Sequence, residues 1–199
     1  MHLGEFISHR LVVKDSVTPE DVEALADSLH WELAGHVPRD PKAHVHLSVT
    51  WRVDEATAAH FTEDDRVDER YFVVSGDDWS RIEQVLTGIQ RGLAVWSVDE
   101  LVLETDVNVY PAGRAKAVLR LGVGAPLEPE ESVSSRVIGA STHPDADVRR
   151  GALWAMAYSQ WPAYRQRLRE MAEGDPSPTI SREASVIVDN LIDPGKADS

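Results

Sequence analysis

Three groups of residues in this chain have types and spacings that could do chemistry. His44-Val45-His46 sets two imidazoles at i and i+2, which lie on one face of an extended run and could share a metal ion. No third ligand can be identified from spacing, so neither a metal nor any other cofactor is expected. Glu104 and Asp106 fall on one face of the alternating run 101–110 and could work as an acid/base pair. A competing reading places them opposite Lys116 and Arg120 as cross-strand charge pairs. His46-Leu47-Ser48 and His60-Phe61-Thr62 repeat a His-x-hydroxyl pattern 14 residues apart. Phosphate-binding glycine loops and nucleophile elbows are missing from the sequence. No catalytic residue is assigned on this basis.

The elements that must position these residues follow from periodicity and punctuation. The run 6–13 reads as a strand. Thr18-Pro19-Glu20-Asp21 is a helix start, with a cap, a proline at the first helical position and acids in the first turn. Val22, Leu25, Ala26, Leu29 and Leu33 continue it as one apolar stripe, which Gly35, His36 and Pro38 end. Alternation over 45–53 predicts a strand with one buried and one open face. Residues 54–69 hold seven acids and one base and read as a solvated connection. A short strand follows at 71–74. Asp77-Asp78 then caps a second helix with the stripe Ile82, Val85, Leu86, Ile89 and Leu93. Residues 101–110 and 115–121 read as strands around a Pro111-Ala112-Gly113-Arg114 turn.

The expected fold class is therefore α+β: a ferredoxin-like antiparallel sheet with two helices over residues 1–122, a 123–130 linker, a helical appendage over 131–192 and a 193–199 tail. Expected core positions are Leu25, Leu29, Val49, Trp51, Ile82, Leu86 and Leu103, the large ones each worth roughly 1.5–3 kcal/mol on burial.

The appendage contains an internal repeat. At an offset of 32 residues Pro144 meets Pro176, Val148 meets Ile180, Arg150 meets Arg182 and Ala152 meets Ala184. With Asp145, Asp147, Leu153 and Ala155 in the first copy and Asp175 in the second, this segment resembles HEAT-type helical repeats of the phycobilin-lyase-like variety. The resemblance implies stacked helical hairpins and a scaffold or adaptor role. The two His-x-hydroxyl motifs resemble those of the 2H phosphoesterases, although that family carries them on distant, symmetry-related strands.

Composition bounds the function. The 199 residues carry 34 acids and 20 bases, a formal charge of −14. Residues 1–135 hold 25 acids and 12 bases, which disfavours nucleic acid and favours a basic partner. Four Lys against 16 Arg point to a high-GC bacterial genome. There is no Cys, which excludes disulfides and thiolate sites. Neither a membrane span nor a secretory leader is legible, so a cytoplasmic location is the expectation. Trp154, Tyr158 and Trp161 recur at helical spacing and fit either a core seam or a binding surface. With Asp64, Asp65 and Asp68 they form the expected partner-binding set. The function expected is non-enzymatic protein binding or adaptor activity toward a basic protein. An immunity-type inhibitor of a bacterial toxin is one concrete form. The alternative is an enzyme whose site lies on the polar sheet face around His46, Glu104 and Asp106.

Overall fold

The structure, a computed structural model, describes residues 4–40, 42 and 46–192. His44, Val45 and the 193–199 tail lie outside them. The chain is mixed α and β and divides after Ser97 into two compact units.

The first unit begins with two short strands, β1 (Phe6–Ile7) and β2 (Leu11–Val12), in place of the single expected strand. Helix α1 (Pro19–Ser28) starts where the sequence predicts. Thr18 accepts from the Asp21 amide at 3.2 Å, and the Asp21 carboxylate accepts from the Thr18 amide at 2.8 Å. It ends at Ser28, earlier than the apolar stripe suggested. Leu29 and Leu33 consequently leave the core, at 39% and 60% exposure. Leu33 falls instead in a strand that sequence analysis missed, β3 (Glu32–Val37). Strands β4 (Leu47–Arg52), β5 (Thr57–Asp64) and β6 (Glu69–Gly76) complete the sheet, and α2 (Trp79–Gly92) follows, capped by Asp78.

The strand order is β1-β6-β5-β4-β3, with β2 also on β6 and every pairing antiparallel. The four longer strands thus form a meander between the two helices. The interleaved ferredoxin-like order is not seen. The acidic stretch expected to be a solvated connection contributes β5 and the tight turn into β6. Its acids sit at the strand ends and turn, while Ala59 and Phe61 point into the core. Leu25 and Val22 of α1 and Ile82, Val85, Leu86 and Ile89 of α2 cover one sheet face. They meet Leu11, Trp51, Phe61, Phe72 and Val74 there, with Val49 packed at the edge. An aromatic chain links the strands: Trp51 to Phe72 at 6.3 Å and Phe61 to Phe72 at 5.0 Å between ring centroids.

The second unit is helical throughout its described residues: α3 (Val98–Val107), α4 (Pro111–Val123), α5 (Glu131–Ala140), α6 (Ala146–Ser159), α7 (Arg165–Gly174) and α8 (Pro178–Ile192), with a 3-10 turn at Pro162–Tyr164. The two strands expected over 101–121 are helices. Pro111, read as a turn residue, occupies the first turn of α4, where its missing N–H costs nothing. Leu103, expected in the core, is 59% exposed on α3. The helices form three successive hairpins, α3–α4, α5–α6 and α7–α8. Packing repeats between them, with α3 against α5, α4 against α6, and α6 against α8. This is why the unit begins at Val98 and not after a 123–130 linker: α3 and α4 pair with the helices that follow them.

The α4–α6 contact is made by small residues. A Cβ on Gly151 would stand 2.6 Å from the Ala115 carbonyl oxygen, and one on Gly122 would overlap the Ala155 backbone. No helix among the described residues is long and apolar enough to cross a membrane.

Candidate functional site

Register decides what the uncovered sheet face presents. Ser48 pairs with Thr62 and Thr50 with His60 across β4 and β5, while Ala58 pairs with Ser75 across β5 and β6. Alternation sends all six side chains to the face opposite the aromatic core. His60 reaches two of them. Its Nδ1 lies 3.1 Å from Thr50 Oγ1, and its Nε2 lies 2.9 Å from Ser75 Oγ. The diagonal reach to Ser75 is open because its direct opposite, Ala58, is only a methyl group. Burial holds the His60 imidazole below its ordinary pKa, which keeps the ring neutral. In a neutral ring one nitrogen donates and the other accepts. Ser75 is 4% exposed. It nevertheless lines a cleft of about 450 Å³ together with Arg52, Asp54, Glu55, Ala58 and Asp77.

A second polar group occupies the other end of the same face. The Asp64 carboxylate accepts from Tyr71 Oη at 3.3 Å and from the Arg66 amide at 3.0 Å. His46 Nε2 stands 3.3 Å from it, while His46 Nδ1 accepts from the Asp65 amide at 3.0 Å. The Arg10 guanidinium lies over the Tyr71 ring, 5.5 Å from its centroid. Burial, and then the Asp64 charge, push the Tyr71 hydroxyl above its ordinary pKa. Both ring nitrogens of His46 are engaged at the hairpin end. Among the described residues no group of three or more His, Asp or Glu could hold a metal.

The expected site residues scatter. Glu104 and Asp106 lie on α3 of the second unit, not on a sheet face with His46. Glu104 accepts from the buried Arg120 at 3.1 Å, so that expected pairing survives as a helix-to-helix contact. Asp106 is bidentate to Arg136 at 2.6 and 2.8 Å. Of the expected partner-binding acids, Asp64 is 6% exposed and internally bonded. Asp65 is paired to Arg39 at 2.6 Å. Asp68 is exposed in the β5–β6 turn at φ 53. Of the aromatic stripe, Trp161 is core. It stacks on Tyr164 at 5.5 Å and donates from Nε1 to the Pro126 carbonyl at 3.1 Å. Trp154 and Tyr158 are half-buried.

Sequence reasoning missed an exposed apolar surface on α3 and the turn after it. Helix α3 buries Leu101 and Thr105 and turns Asp99, Leu103, Asp106 and Val107 outward. Leu103 is 59% exposed, Val107 63%, and, in the following turn, Val109 70% and Tyr110 81%. The signal was available as a helical i, i+4 spacing of Leu103 and Val107. It was masked by the strand-like alternation of the same residues. No family model, curated protein or solved structure matches the chain.

Proposed function

We propose that this chain is a protein-binding adaptor whose α3 face engages a basic segment of another protein. The observation that carries the reading is the four large apolar side chains, Leu103, Val107, Val109 and Tyr110, each more than half exposed within eight residues. Covering such a side chain fully is worth roughly 1.5–3 kcal/mol, and clustered exposure of this kind marks interaction surfaces. Helix α3 also carries Asp99, Glu100, Glu104 and Asp106 and no base; Glu104 and Asp106 are paired with Arg120 and Arg136, and the exposed Asp99 edges the strip. An apolar strip edged by acids suits a partner with apolar side chains between Lys or Arg, and the charges speed encounter. The three helical hairpins support the HEAT-type reading of the sequence repeat, with 98–123 supplying a unit in addition to the two copies read from sequence. An immunity-type inhibitor bound to a nuclease toxin is one concrete form, since a nuclease must be basic where it holds phosphate.

The test is affinity capture from a lysate of the source organism with the full chain and with a Leu103→Ser/Tyr110→Ser variant, at 0.1 M and 1 M salt. The expected result is a basic protein retained by the parent at low salt, weakened at high salt as the Debye length falls from about 10 Å to about 3 Å, and lost with the variant. Capture of the same proteins by both chains, or of acidic proteins only, contradicts the proposal.

A further inference from the structure

Ser75, which lines the cleft at the end of the open sheet face, belongs to a nucleophile–base–orienter arrangement with His60 and Thr50 behind it that the protein-binding reading does not use. We infer that Ser75, His60 and Thr50 form an acyl-transfer site in which Ser75 Oγ is the nucleophile, His60 Nε2 the general base and Thr50 a positioning residue. Ser75 Oγ lies 2.9 Å from His60 Nε2, within the reach a base needs, and Thr50 Oγ1 lies 3.1 Å from His60 Nδ1. The tautomer that activates Ser75 has Nδ1–H donating to Thr50, which leaves the Nε2 lone pair for the serine proton. Three adjacent strands fix the three groups, since Thr50 is on β4, His60 on β5 and Ser75 on β6. Placement on strands holds the geometry more tightly than loops would.

The substrate class follows from the cleft. Asp54, Glu55 and Asp77 line it against a single base, Arg52, which is itself paired with Glu32 at 3.2 Å. Asp54 is paired with Arg81 at 2.8 Å, which leaves Glu55 and Asp77 to set the sign. The volume of about 450 Å³ fits a small molecule. A small carboxylic ester without negative charge is the fitting substrate. Ser75 Oγ bonds to the carbonyl carbon as its proton passes to Nε2. The ester C–O bond then breaks, and Nε2–H returns the proton to the departing alcohol oxygen. Water, deprotonated by the same nitrogen, attacks the acyl-serine and releases the carboxylic acid with Ser75 restored.

An uncharged alkyl fluorophosphonate tests this directly, because the serine oxygen displaces fluoride and leaves a stable adduct readable by intact mass. The expected result is one adduct on the full parent chain, mapped by peptide mass to Ser75. His60→Gln should label at least about 100-fold more slowly, as loss of a general base demands. Thr50→Val should slow labelling and shift its pH midpoint while the melting temperature stays put, which a merely structural role would not produce. Hydrolysis of p-nitrophenyl acetate should follow the same order. The parent-chain mapping needs no variant to fold. Absence of an adduct, an adduct on another residue, or an unchanged rate in His60→Gln overturns the assignment.

Discussion

Arg149 holds Asp175 through two guanidinium nitrogens, at 2.9 and 3.0 Å, with side-chain exposures of only 9% and 2%. The same guanidinium donates to the His143 and Pro144 carbonyls at 2.9 Å each. One side chain on α6 therefore ties the turn before α6 to the turn before α8, the two turns that the Pro144/Pro176 repeat relates. Breaking a buried pair from one side leaves an uncompensated charge, at a cost of about 3–5 kcal/mol. Arg149→Ala is expected to lose that much in urea unfolding of the full chain. A loss under 1 kcal/mol would mean that the pair is solvated in solution.

Acid should loosen the helical unit. Burial pushes the Asp175 carboxyl up, but hydrogen bonds from Arg149 and the Ser177 amide outweigh it and hold the group below the usual carboxylate range. The hydrogen bonds from Arg136 lower Asp106 in the same direction. A folded-state pKa below the unfolded one, about 3.9, gives stability that is present above that value and lost as pH falls through the folded one. Amide exchange protection in α6 and α8 should hold at pH 5 and fall below about pH 4. Asp175→Asn should remove part of that dependence.

The small-residue seam between α4 and α6 gives a third prediction. Alanine is ordinarily the better helix former, by about 0.8–1.0 kcal/mol over glycine. At Gly151 the added methyl meets the Ala115 carbonyl at 2.6 Å, a backbone atom that cannot rotate away. Overpacking at such a contact costs about 1–3 kcal/mol. Gly151→Ala should therefore lower the melting temperature, whereas Gly174→Ala, with nothing near the new methyl, should raise it or leave it unchanged. Equal effects at the two positions would sink the close-packing account.

What could be read in the sequence depended on punctuation. The caps Thr18 and Asp78 stand where helices begin, and the stripe from Ile82 to Ile89 is buried as its period requires. The misreadings came where local pattern and tertiary context disagree. Leu101 to Tyr110 alternates like a strand because Leu103, Val107 and Val109 are exposed, and exposed apolar residues break helical periodicity. Residues 57–64 looked like a loop because Glu63 and Asp64 close the strand, while Thr, Ala and His form its open face. The edge strand β3 has one partner strand and no buried side chain, so it left no apolar signature. His60 and Ser75 could not be joined without β5, and a site assembled across three strands has no local motif.

The last prediction concerns the sheet unit near neutral pH. Burial lowers the pKa of both His60 and His9. The side chains that His60 meets are the hydroxyls of Thr50 and Ser75, which carry no charge to offset its burial. A histidine whose folded pKa lies below the unfolded value of about 6.5 binds its proton more readily when unfolded. Its contribution is therefore complete above that pH and is lost as pH falls from about 6.5 through the folded pKa. This window lies above the one in which Asp175 and Asp106 titrate, so the two effects separate along the pH axis. Thermal melts followed by amide exchange in β5 and β6 should show protection steady between pH 7 and 8 and declining as pH falls below about 6.5, before the helical unit responds. His60→Gln, which keeps hydrogen-bonding groups without a titration in this range, should be less stable at pH 7.5 yet flatter between pH 7 and 5. Protection that rises on acidification, or a variant with the parent's slope, would show that His60 is solvated and not held neutral by the sheet.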